Sequence, residues 1–183
     1  MNYTLPTQVN IDGIDYNIRS DWRVALEIIE VLNDADLKYA EKAEAVLIMF
    51  YEDMPTNIAE ALKKCFEFLD MGETQKKKSP RLIDWEKDFK YIVAPVNRVL
   101  GYEVRSVQYL HWWTFLSAYM EIGGDCVLSQ IVSMRDKLAR GTKLEKHERE
   151  WLRKNGDIVH LKTQMTSTED DIISQWTVKN EKR

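Results

Sequence analysis

Apolar residues recur at helical spacing along most of this chain, and that pattern restricts the fold more than any other feature. Between Asp84 and Gly101, Trp85, Phe89, Ile92, Val96, Val99 and Leu100 fall at i, i+4, i+7, i+11, i+14 and i+15, along one side of a helix. Asp84 is placed to cap that helix, Asp88 reads as a solvated position, and Pro95 is expected to kink it near Tyr91. Trp22, Ala25, Leu26, Ile29 and Leu32 form a similar stripe after a cap at Ser20 or Asp21. Ala40, Ala43, Leu47 and Phe50 do so within 37–51. A third helix opens at Pro55-Thr56, buries Ile58, Ala61, Leu62, Cys65, Phe66 and Leu69, and stops at Gly72. With 7 Gly and 4 Pro in 183 residues, the chain has too few turn formers for a many-stranded sandwich or barrel.

Further along, 107–122 reads as a helix apolar on nearly every side, capped by Ser106. Residues 127–139 form another, with Leu128, Ile131, Val132 and Leu138 inward. Thr142-Lys143-Leu144-Glu145 has the spacing of a capping box and opens a helix over 143–154, which Asn155-Gly156 stops. Only Val9 to Ile18 has period two, on both sides of Asp12-Gly13. An Asp-Gly pair favours a two-residue type I′ hairpin, setting Ile11 against Ile14 and Val9 against Tyr16. The reading is therefore mainly α: an N-terminal β-hairpin followed by a bundle of about six to seven helices. Its parts are the hairpin (1–19), a first helical part (20–72), a linker (73–83), a second helical part with the aromatic helix (84–156) and a polar C-terminal tail (157–183).

Charge is uneven. Residues 1–72 carry 14 acids and 6 bases, net −8, whereas 73–183 carry 16 acids and 20 bases, net +4. The simplest reading is complementarity within one molecule; neither half concentrates bases as a DNA-binding domain does. Lys76-Lys77-Lys78 reads as solvated linker, and the bases of 143–154 alternate with Glu145, Glu148 and Glu150, as on an ion-paired surface helix. No apolar run approaches the ~18 residues of a membrane span, and no basic-then-apolar leader opens the chain, so a cytosolic protein is expected. Cys65 and Cys126 lie too far apart in sequence to suggest a disulfide framework. There is no phosphate-binding glycine loop, CxxC, HExxH or EF-hand pattern, and His111, His147 and His160 are dispersed, so no catalysis, metal or cofactor is expected. His111 reads as a core histidine bonded to a carbonyl or carboxylate.

Two stretches carry a resemblance. One runs from Asp84-Trp85-Glu86-Lys87-Asp88-Phe89-Lys90-Tyr91-Ile92 to Leu100-Gly101. The other is Leu110-His111-Trp112-Trp113-Thr114-Phe115 with Gly124-Asp125 and Leu128 to Arg135. Over roughly 8–155 the chain resembles the tail-assembly chaperone family of long-tailed phages and prophages of Gram-positive bacteria. The resemblance implies a non-enzymatic chaperone, without cofactor, in the host bacterial cytoplasm and absent from the mature virion. It would coat the tape-measure protein until tail-tube subunits replace it, with the tail-tube protein a second partner and self-association masking its apolar face. Partner contacts are expected on Trp85, Phe89, Trp112, Trp113, Phe115, Ile131 and Arg135, and no membrane or nucleic acid is expected as a partner. The alternatives are a phage nucleic-acid-binding regulator using Lys76–Lys78 and the basic helix, and a head-tail connector retained in the virion.

Overall fold

The computed structural model describes residues 4–72, 80–161 and 171–173. Lys76–Lys78, most of the expected linker and Trp176 lie outside the described residues. Two compact units emerge, one of 1–75, 109–115 and 164–183, the other of 76–108 and 116–163. The architecture is mainly helical after an N-terminal two-stranded hairpin.

In the first unit, β1 (Gln8–Ile11) pairs antiparallel with β2 (Ile14–Asn17), with Val9 opposite Tyr16 and Ile11 opposite Ile14. Asp12 and Gly13 both take positive φ, 52° and 84°, as a type I′ turn demands. Three helices follow: α1 (Trp22–Asn33), α2 (Tyr39–Phe50) and α3 (Ile58–Leu69), capped at their starts by Asp21, Lys38 and Asn57. The buried side of α1 is Trp22, Ala25, Leu26 and Ile28; Ile29 and Leu32, expected inside, are half-buried. Cys65 is fully buried, as a small apolar residue would be. The core is aromatic: Trp22 stacks on Phe115 at 4.8 Å between centroids, Trp112 on Phe115 at 5.8 Å, and Phe50 lies 5.2 Å from Phe68.

The second unit holds α4 (Trp85–Leu100), α6 (Val127–Ala139) and α7 (Lys146–Val159). Asp84 caps α4, its carboxylate accepting the Lys87 N–H at 3.0 Å, and Gly101 ends it in the left-handed conformation. The helix runs on through Pro95, whose ring is buried. α5 (Trp112–Met120) belongs to both units, which meet in sequence after Phe115.

Several sequence expectations need correction. The helix expected from 107 starts only at Trp112, because the backbone before it is committed elsewhere. The Trp22 N–H bonds the Leu110 carbonyl at 3.0 Å, the Trp112 N–H bonds the Ser20 carbonyl at 2.8 Å, and the Leu110 N–H bonds the Asp21 carboxylate at 3.1 Å. Ser106 ends a 3-10 turn, Val104–Ser106, rather than capping α5. α7 begins three residues late, with Glu145 at the cap and Glu148 accepting its N–H at 2.9 Å. It continues past Asn155-Gly156, kinked at Asn155 (φ −123°), and buries Val159. Leu138, expected inside, is exposed. Asp88, read as solvated, is completely buried.

Candidate functional site

The Trp-Trp pair closes the end of a helix. The last carbonyls of a helix have no partner within it, and α3 has no basic residue in its last turn to supply one. The Trp112 indole N–H donates to the Leu69 carbonyl at 2.9 Å, and the Trp113 indole to the Phe68 carbonyl at 2.8 Å. Adjacent residues on a helix diverge by about 100°, so the two rings meet α3 differently: Trp112 is buried and Trp113 half-buried. His111 fixes the entry to α5. Its Nδ1 accepts the Trp113 N–H at 3.0 Å, which leaves Nε2 to donate to the Pro6 carbonyl at 2.9 Å. This is a core histidine in a defined tautomer, buried against Phe68.

Arg135 and Asp88 form the corresponding centre of the second unit. The guanidinium reaches both Asp88 oxygens, at 2.5 and 2.9 Å, and its remaining N–H groups donate to the carbonyls of Leu82 (2.8 Å), Ile158 (2.7 Å) and Val159 (2.8 Å). Asp88 also accepts the Asp84 N–H at 2.9 Å. The chain ahead of α4, α4 itself, α6 and the end of α7 are thereby joined at one charge pair. Tyr119 lies close by, its ring tilted against Trp85 at 4.8 Å. Burial, reinforced by the Asp88 charge and opposed by Arg135, pushes its phenol up to about 12.

Two open grooves flank α6. One, of 530 Å³, lies between α6 and α7, with Met134 and Trp151 as its large apolar walls. The other, of 460 Å³, adjoins it along α6, with Met120, Ile122 and Val132 among its lining. Ser129 and Ser133 line both, and their small side chains, together with Gly124 in the first groove, leave the hollows. Met120, Val127 and Leu138 expose 60%, 50% and 38% of their surface, so uncovered apolar area clusters on and beside this helix. At the edge of the first groove Lys137 bonds Glu148. That hydrogen bond, helped by the Glu145 N–H, holds the Glu148 carboxyl below its usual range.

The expected contact residues divide unevenly against this geometry. Trp112, Phe115, Ile131 and Arg135 are buried within the chain, and their side chains are not presented to a partner. Trp85, Phe89 and Trp113 keep partial exposure. Reading the residues alone overlooked Met120 and Val127, and the signal available for the grooves was the pair of small serines four residues apart on α6. Among the described residues no cluster of His, Cys, Asp and Glu could hold a metal ion, and no helix is long and apolar enough to cross a membrane.

A family model described as Bacteriophage Gp15 protein matches residues 1–161. Comparison with curated proteins and with solved structures finds no match.

Proposed function

The chain belongs to the bacteriophage Gp15 protein family, and from that premise we propose that it is a non-enzymatic chaperone of tail assembly. In this reading it binds the tape-measure protein and keeps it soluble until the tail tube polymerises. The observation that carries the reading is the pair of grooves along α6, with Met120 exposed in the lining of one and Val127 and Leu138 exposed on α6 itself. Open grooves with exposed apolar side chains on α5 and α6 suit a protein partner. A long helical partner offers apolar side chains at i, i+3 or i+4 and i+7, which such grooves can receive. The protein acts in the host cytoplasm and leaves before the virion is complete.

Co-expression with a fragment of the tape-measure protein tests this. The fragment should be soluble only with the chaperone. Met120→Asp and Val127→Asp, at exposed positions, should reduce that solubility while leaving the chaperone folded. Trp112→Ser and Phe115→Ser are poor probes, because both side chains are buried and their loss would unfold the protein. A fragment equally soluble alone would overturn the reading. Recovery of the chain from purified particles by mass spectrometry would instead favour a connector retained in the virion.

A further inference from the structure

The outward face of α7 is basic. Lys146, Arg149 and Arg153 stand at i, i+3 and i+7, all exposed, so they share one side of the helix. Among the exposed charged residues of α7 four are bases, Lys146, Arg149, Arg153 and Lys154, against two acids, Glu150 and Asp157. Lys146 and Arg153 make no ion pair with any described residue. Charge of opposite sign is concentrated on α1, α2 and the turn that joins them. Over 27–44 there are six acids against two bases, net −4; all six acids are exposed, and one of the two bases, Lys42, is buried. Glu44 and Ile48 lie one turn apart on the outer side of α2, with Ile48 56% exposed, so apolar surface adjoins the acids of α2.

We propose that the basic face of α7 docks on the acidic α1–α2 face of a second copy of this chain. The occupant is chosen by sign and spacing. The complementary charges are on the same chain, at helical intervals that let two helices lie side by side, and the docked face covers Ile48. A nucleic acid fits less well, because Glu150 borders the α7 face and the molecule as a whole is negative, with a net charge of −4. A contact between two different faces is heterologous, so each copy has one face of each sign to offer. Attraction of this kind is screened by salt, whose screening length falls from about 10 Å at 0.1 M to about 3 Å at 1 M. The inference does not rest on the tape-measure reading.

Two charge-reversed chains test it. Lys146→Glu with Arg153→Glu reverses α7, and Glu27→Lys with Glu44→Lys reverses the acidic face. All four positions are exposed and helical, so the fold should persist, which circular dichroism would verify. In sedimentation equilibrium the unaltered protein should rise from 21.6 kDa to at least twice that mass with concentration at low salt, and return to monomer at high salt. Each double variant alone should remain monomeric. Their equimolar mixture should regain the higher mass, because each then carries the face the other needs. The proposal fails if the unaltered protein stays monomeric at every concentration. It fails equally if the mixture is no heavier than its parts, or if the α7 variant keeps its mass and loses only affinity for a DNA duplex. None of these outcomes alters the tape-measure co-expression result, so the two readings can fail separately.

Discussion

Arg135 uses all five of its guanidinium N–H groups inside the fold, and it is one of several side chains that close a helix end from a distance. Lys42 donates to the Leu32 carbonyl at the end of α1 at 2.8 Å; burial draws its ammonium pKa down, against the opposing pull of Asp34. Arg19 reaches the Ile48 and Met49 carbonyls at the end of α2, at 2.8 and 3.2 Å. None of α1, α2, α3 and α7 has a basic residue in its own last turn, so their exposed carbonyls and negative dipole ends draw donors from elsewhere in the chain. Asp88→Ala would leave the Arg135 charge buried without its counterion, which should cost ~3–5 kcal/mol. Urea unfolding measures this, and a loss below about 1 kcal/mol would show that the pair is dispensable. Tyr119 has its own pH signature. Its folded pKa, about 12, exceeds the ordinary 10.0, so it contributes stability that is intact below pH 10 and lost as pH rises through 12. The difference in 295 nm absorbance titrations between the protein and Tyr119→Phe should show a phenol titrating near 12.

Elements defined by local chemistry were legible in the sequence: the Asp-Gly hairpin, the Asp84 cap, the Gly101 stop and the span of α6. The errors fall where a distant segment competes for the backbone. Apolar content made 107–111 look helical, yet the Leu110 amide and carbonyl are taken by Asp21 and Trp22, and the Trp112 amide by Ser20. Asn155-Gly156 looked like a stop, yet α7 continues to Val159, whose carbonyl Arg135 holds. For α5 the structure separates two residues that the sequence could only call adjacent. Trp112→Ala removes a buried ring and the donor to Leu69, and should cost ~3–5 kcal/mol. Trp113→Ala removes a half-buried ring and should cost clearly less. Trp113→Phe, which keeps a ring and loses one hydrogen bond, should cost ~1 kcal/mol. Thermal melts of the three variants would check the order, and equal losses for the two alanine variants would mean that Trp113 is as much a core residue as Trp112.

At the scale of the molecule, polarity alone misjudged which segments belong to the folded body. The expected contact surface was the aromatic-rich sequence, yet the aromatic residues of α5 mostly build the first unit's core, and the exposed apolar residues Met120, Val127 and Leu138 lie on and beside α6. Sequence cannot separate those cases, because a core helix and a docking helix have the same composition until their neighbours are known. The segment beyond 161 shows the converse. It reads as polar tail and lies beyond the family match, which ends at 161. Yet Ile172 is only 1% exposed. An isoleucine so covered stabilises the fold, and Ile172→Ala should cost ~2–5 kcal/mol. In a chain of this length each kcal/mol moves the melting temperature by about 2–4 °C. Ile172→Ala should therefore lower it by about 4 °C or more, and removal of 162–183 by at least as much. A truncated chain melting with the full-length protein would mean that the segment contributes nothing to the stability of the body.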